Sequence, residues 1–316
     1  DADASSARCA SSAVPRRDSA AVRSSSVRAS CACTAAVAAG FSSSFAALAE
    51  QIQPGHPHST KLGWRISVQH WVYRRVPLFD GLAIAAEVGL RCFEPRSILK
   101  LDAKRPGMNA DENMPEDARK ELKTRADDLG IAFPSAFADF NGKPDQAKKM
   151  LEFWKSLGVS CIVTEPTLNS LDMLEPLFAE YGMQLALHNH QRGKSIYWHP
   201  DIVLDHSKKR GKQIGACCDV GQWARSDLKP VECLRKIGHD RMISFHLKDV
   251  LTMGDLDCRN TVIGEGAADC ANCLKEIHAL GYRALVTVDF EHDTPDLQKD
   301  MLKNIAFIED QARLLI

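Results

Sequence analysis

The sequence predicts a single-domain α/β protein of the (β/α)8 (TIM) barrel class, preceded by an N-terminal signal-like segment. Three observations carry that prediction. Short apolar or β-branched runs beginning near Arg65, Arg91, Ile131, Val159, Met183, Ile214, Arg241 and Ala284 alternate with longer amphipathic stretches. Gly89, Gly130, Gly158, Gly182 and Gly281 each stand between an amphipathic stretch and the next run, the punctuation of a helix stop followed by a strand. The chain beyond residue 49 has the length such a barrel needs, about 250 residues. A doubly wound open sheet is the competing architecture. It is disfavoured because no Gly-x-Gly-x-x-Gly follows the first run and no phosphate-binding Gly-rich loop with Lys-Ser/Thr occurs.

Taken from the start, residues 1–49 differ from everything after them. They hold 16 Ala, 12 Ser and five Arg against three Asp. Arg16-Arg17 is followed, after Arg28, by an uncharged run that ends in Ala47-Leu48-Ala49. A basic region, an uncharged stretch and a small-residue exit describe an export signal to the periplasm or exterior, and Arg16-Arg17-Asp18 is similar to a twin-arginine signal. An organellar transit peptide or a disordered tail are the rivals. The stretch is too rich in Ser and Ala for a stable membrane span. Residues 50–60 read as a linker and 61–316 as the barrel.

The whole chain of 316 residues has a formal net charge of -1, with 26% charged and 45% hydrophobic residues, values of a globular protein. The barrel portion alone is slightly acidic and carries no basic stripe, which argues against nucleic acid as a partner. Eight of the 11 cysteines lie in the barrel portion. Cys161, Cys217 and Cys218 fall inside apolar runs, and Cys270-x-x-Cys273 has no second pair at zinc-ribbon spacing, so most read as buried thiols.

Within the barrel, helical spacing recurs at Met150, Trp154 and Leu157, at Leu171, Leu174, Phe178 and Tyr181, and at Met301, Ile305 and Ile308. Barrel enzymes place their chemistry at the carboxyl ends of the strands. Run one ends in Gln69-His70-Trp71, run two in Glu94-Pro95-Arg96, and run four in Glu165-Pro166. Run five ends in His188-Asn189-His190, run six in Asp219-Val220-Gly221-Gln222, run seven in His246-Leu247-Lys248-Asp249, and run eight in Asp289-Phe290-Glu291. Strand alternation sends His188 with His190, and Asp289 with Glu291, to the interior. Imidazoles and carboxylates converging from neighbouring strands suit one divalent ion, Mn, Mg, Co or Zn. For a single such residue a polar strand cap is the simpler account; the row of consecutive ends is what points to a site.

The stretches LALHNH (185–190), CCDVGQWARSDLKP (217–230), FHLKDV (245–250), VIGEG (262–266) and LVTVDFEHD (285–293) resemble the xylose-isomerase-like TIM barrels, the sugar phosphate isomerase/epimerase group, in its His-Asn-His branch. The resemblance covers about Lys61 to the end. It implies a divalent-metal-dependent enzyme that abstracts a proton next to a carbonyl of a keto or aldo sugar. It implies His188, Asp219, His246 and Asp289 as metal ligands, with Glu165, Glu291, His190 and Lys248 as the groups that move protons or stabilise charge. His70, Trp71, Arg96, Trp223 and Arg225 are the expected sugar-binding residues, a core role being the alternative for Trp71, Trp223 and Arg225.

His188 and Asp289 stand where most relatives carry Glu, and Glu165 could supply the missing carboxylate. Losing the opposed glutamate pair opens a second expectation, a 3-keto-glycoside lyase or sugar dehydratase on the same metal site. A third is a catalytically inactive exported sugar-binding barrel. Related apurinic endonucleases need a His at the position held here by Gln222, a second mark against nucleic acid. With no cluster of basic residues or Gly-rich loop for a phosphate, the expected partner is an unphosphorylated sugar or glycoside. Homo-oligomerisation stays open.

Overall fold

The computed structural model describes residues 55–140 and 142–316. The expected export signal at 1–49 and the first part of the expected linker lie outside the described residues. The linker's end is helical: Pro57–Lys61 forms one short helix whose first backbone N–H groups, at His58 and Ser59, donate to the Glu309 carboxylate at 3.1 and 2.8 Å.

Eight parallel strands form the barrel: β1 Arg65–Gln69, β2 Cys92–Glu94, β3 Ser135–Phe137, β4 Cys161–Thr164, β5 Gln184–His188, β6 Ile214–Asp219, β7 Met242–Leu247 and β8 Leu285–Val288. Their hydrogen-bonded order is β2-β1-β8-β7-β6-β5-β4-β3. The β2–β3 seam closes by single parallel bridges, Cys92 with Ala132 and Arg96 with Phe137, and the Phe137 N–H donates to Pro95 O at 2.8 Å. The sequence places a strand start near Ile131, whereas β3 begins at Ser135. Pro134 is the physical reason: with no N–H it interrupts the ladder, and only Ala132 bridges before it.

Eight helices follow the strands: α1 Leu78–Glu87, α2 Glu116–Asp128, α3 Pro144–Ser156, α4 Leu171–Tyr181, α5 Pro200–Ser207, α6 Pro230–Ile237, α7 Cys270–Ala279 and α8 Leu297–Leu314. Three of them start on proline, whose fixed φ and absent N–H fit a first helical turn. Gly182 ends α4 at φ 64°, a left-handed cap that a side chain would strain, and the chain turns at once into β5.

The main core lies between strands and helices. Trp154, Leu151, Phe178, Leu234, Leu274 and Ile305 are buried there, each contributing roughly 1.5–3 kcal/mol of transfer free energy. A second, smaller cluster fills the barrel itself: Phe137, Cys161, Val163, Ala186 and Cys217. All eight cysteines of the described residues are free and buried, as small hydrophobes. Burial pushes the Cys233 thiol up to about 12.

Candidate functional site

The mouth of the barrel is assembled from strand ends, and its local order begins with Asn189. Asn189 donates from Nδ2 to the Asp219 carbonyl at 2.9 Å and accepts the Asp219 N–H at 2.9 Å, which locks the end of β5 to the end of β6. Its neighbours His188 and His190 therefore face the interior together, with ring centroids 4.7 Å apart. Both rings bond through Nδ1 to the Glu165 carboxylate from the end of β4, His188 at 2.9 Å. Burial pushes the Glu165 carboxyl up, but the bonds to His188 and His190 outweigh that and hold it well below the carboxylate range.

Asp219 caps the short helix Val220–Arg225, its Oδ1 accepting the Gln222 N–H at 2.9 Å. That leaves Oδ2 for the mouth, 3.5 Å from His188 Nε2 and 3.2 Å from Lys248 Nζ. Lys248, after β7, is fully buried; its ammonium also lies 2.9 Å from Asp289 Oδ2 and 2.7 Å from Glu291 Oε1. Gly221 makes this approach possible, since a Cβ there would lie 2.5 Å from Lys248 Cγ. Burial opposes the charge on Lys248, but Asp219, Asp289 and Glu291 outweigh it and hold the amine well above its ordinary value. Asp289 is likewise held far below the carboxylate range: burial raises it, and Lys248 and His246 lower it more.

His246 stands at the centre, fully buried, its ring 5.2 Å from that of His188 and its Nδ1 3.7 Å from Asp289 Oδ2. One ligating atom from each of His188, Asp219, His246 and Asp289 lies within 4.8 Å of the others. Among the described residues, His188 Nε2, Asp219 Oδ2, Asp289 Oδ1 and both ring nitrogens of His246 are buried without a hydrogen-bond partner. Two imidazoles and two carboxylates with unspent lone pairs fit a borderline divalent cation.

Above this cluster lies a cleft of about 260 Å³. Trp71, Arg96, Arg225, His190 and Glu291 line it, as do Gln69, Phe137, Gln191, Lys194 and Gln222. The guanidinium of Arg96 stacks 3.9 Å above the Phe137 ring. Arg225 spends its Nη2 on Cys258 O and Asn260 Oδ1, at 3.0 and 2.9 Å, bracing the loop after β7.

Two residues expected to touch sugar are elsewhere. Gln69 takes the inward position at the end of β1, so His70 turns outward against Phe93 and accepts the Arg96 N–H at 3.4 Å. Burial pushes His70 down to about 3, so it stays neutral. Trp223 packs in the main core. Glu165, expected as a proton-transfer group, reaches the mouth through His188 and His190.

Three participants escaped the sequence reading. Phe137 closes a wall from β3. Cys217 brings its Sγ within 4.8 Å of ligating atoms of His188 and His246. Glu94 points from β2 at His246, with Oε1 3.0 Å from Nε2. For the last a signal exists, since Glu94 closes the second run one residue before Pro95.

Fold and mouth together define a class, a (β/α)8 barrel with an imidazole–carboxylate donor cluster at the carboxyl ends of its strands. The chain belongs to the xylose isomerase-like TIM barrel family, whose model matches residues 82–311. Among solved structures it is similar to a D-tagatose 3-epimerase-like protein, at 15% identity and TM-score 0.63, over 79% of this chain and 98% of that one. A xylose isomerase domain protein from Planctomyces limnophilus matches at 16% identity and TM-score 0.62, over 79% and 98%. The IolI protein, solved with a bound zinc atom, matches at 17% identity and TM-score 0.61, over 79% and 96%. At these identities the likeness is one of fold. The comparison with curated proteins gives no match. No helix among the described residues is long and apolar enough to cross a membrane.

Proposed function

We propose that the protein is a divalent-metal-dependent sugar isomerase/epimerase that moves a proton next to the carbonyl of an unphosphorylated keto or aldo sugar. The observation that carries this reading is the convergence of His188, Asp219, His246 and Asp289 at the floor of a cleft that also holds ionisable groups on two sides. A divalent ion held by those four residues would act as a Lewis acid on the substrate carbonyl. Glu291, at the cleft, is placed to take the proton from the neighbouring carbon. Lys248, kept cationic by Asp219, Asp289 and Glu291, which take up its three N–H groups, is a buried fixed positive charge that favours negative charge developing at the site. His190, backed by the Glu165 carboxylate, is the second group able to hold or return a proton.

One observation favours a second reading. The two proton-handling groups are unlike: a carboxylate beside an ammonium on one wall, an imidazole beside a carboxylate on the other. The opposed glutamate pair of the group's epimerases is thus absent, and one carboxylate with an imidazole also suits elimination, in which proton removal next to the ketone expels a leaving group on the next carbon. That reading is a 3-keto-glycoside lyase or sugar dehydratase. Incubating the metal-loaded protein with a 3-keto-glycoside, and separately with free ketoses and aldoses, decides between them. Interconversion of free sugars with no aglycone released supports the isomerase; released aglycone transfers the assignment to the lyase. Inertness toward both would leave a sugar-binding barrel.

A further inference from the structure

We infer that Glu94 is the positioning residue that orients His246 toward the divalent ion, an inference that rests on the metal-site reading above. Glu94 ends β2, three strands away from β7 around the barrel, and is fully buried. A carboxylate so placed is costly unless its oxygens are used. Ser135, on β3, donates its hydroxyl to Glu94 Oε2 at 2.6 Å and fixes the carboxylate plane. The other oxygen, Oε1, lies at ion-pair distance, 3.0 Å, from His246 Nε2 without the alignment of a hydrogen bond, and among the described residues neither atom has a hydrogen-bond partner. With Nε2 directed at Glu94, the remaining ring nitrogen, Nδ1, faces Asp289 Oδ2 at 3.7 Å and thus the donor cluster.

The consequence is a choice of tautomer. The negative charge of Glu94 beside Nε2 favours the tautomer with its proton there, which leaves the Nδ1 lone pair as the ligating one and makes that nitrogen a stronger donor. Carboxylates behind metal-bound imidazoles are typically worth about 10–100-fold in metal affinity. Glu94 touches neither the cleft nor its floor donors apart from His246, so its effect on the reaction passes through that ring.

The test is a calorimetric titration of Zn²⁺ and Mn²⁺ into the metal-free full-length protein, its Glu94→Gln and Glu94→Ala variants, and Ser135→Ala. Thermal unfolding of each metal-free variant checks the fold. The account expects about 100-fold weaker binding in Glu94→Ala, about 10-fold in Glu94→Gln, which keeps an acceptor but loses the charge, and a smaller loss in Ser135→Ala. Nitrogen–proton correlation spectra of the histidines should show His246 protonated on Nε2 in the wild type and a tautomer mixture in the folded Glu94 variants. If Glu94→Ala does not fold, the near-isosteric Glu94→Gln decides. Metal affinity within twofold of wild type in a folded Glu94 variant overturns the positioning role while leaving the metal site standing. A wild-type protein that binds neither ion overturns the metal-site reading, and this inference with it.

Discussion

At the end of β5, His188 and His190 alternate into the mouth and share one carboxylate, Glu165 from β4. At the end of β8, Asp289 and Glu291 alternate into the mouth and share one ammonium, Lys248 from β7. Each wall places one residue in the deep donor cluster and the next one, two positions on, at the cleft. The architecture is common to both and the charges are exchanged. The comparison teaches that period-two alternation, repeated on facing strands, separates two positions: under the proposed function the inner residue would supply a lone pair and the outer one would handle a proton. The shared counter-charge from the neighbouring strand fixes both side chains at once.

The largest effects should come from residues that serve both walls. Asp219→Ala or His246→Ala is expected to abolish both metal binding and turnover, read by metal analysis of the purified protein and by rate; retention of either would mean the donor cluster is misplaced. Asp219→Ala also removes a helix cap, worth about 1 kcal/mol, so its fold is checked by circular dichroism.

Next come the two outer residues. Glu291→Gln should lower kcat by roughly 10²–10⁴-fold, the usual contribution of a general base. His190→Gln sharpens the contrast. A loss as large as that of Glu291→Gln marks two equivalent proton-transfer steps and epimerisation, while a much smaller loss marks elimination driven from the β8 wall.

Third is the counter-charge. Lys248→Met leaves buried Asp219 and Asp289, and half-buried Glu291, without their cation and should destabilise the metal-free protein by about 3–5 kcal/mol in denaturant titration. Asp219 and Asp289 are held below the ordinary carboxylate value, so their stabilisation is present above that value and is lost as pH falls toward their depressed ones. In Lys248→Met this acid-side loss should shrink. An unchanged acid limb would show that the ammonium is not what holds the carboxylates ionised.

The last effect, absent at neutral pH and growing only in acid, belongs to His70, outside both walls. Its folded value near 3 lies below its ordinary 6.5, so the folded state refuses a proton that the unfolded chain takes up. The stability it contributes is complete above pH 6.5 and declines by about 1.4 kcal/mol per pH unit as pH falls from there toward 3. His70→Phe should remove that slope, whatever it does to absolute stability.

Much of this was legible before any coordinates. Strand and helix alternation appears as a change of hydrophobic period, and strand starts near Arg65, Ile214 and Ala284 agree with β1, β6 and β8 to within a residue. The mouth was legible because ligand-type residues close consecutive strands. Parity explains two misplacements: β1 sends Gln69 inward, so His70, the next residue, faces the outer layer, and Trp223 lies on the core side of the short helix after Asp219. Glu94 beside His246 was not legible, because sequence gives neither the closing register of a barrel nor which buried carboxylate meets which imidazole across it. Likewise, Pro134 delays β3 through a missing donor that hydrophobic pattern does not reveal.

The account's central claim is tested most directly by following solvent deuterium into a keto sugar at the carbon next to its carbonyl, with the protein metal-loaded and again after chelation. The account predicts deuterium incorporation that requires the metal and disappears in Glu291→Gln. Incorporation at the same rate in the chelated protein, or none under either condition with the donor cluster loaded, would contradict it.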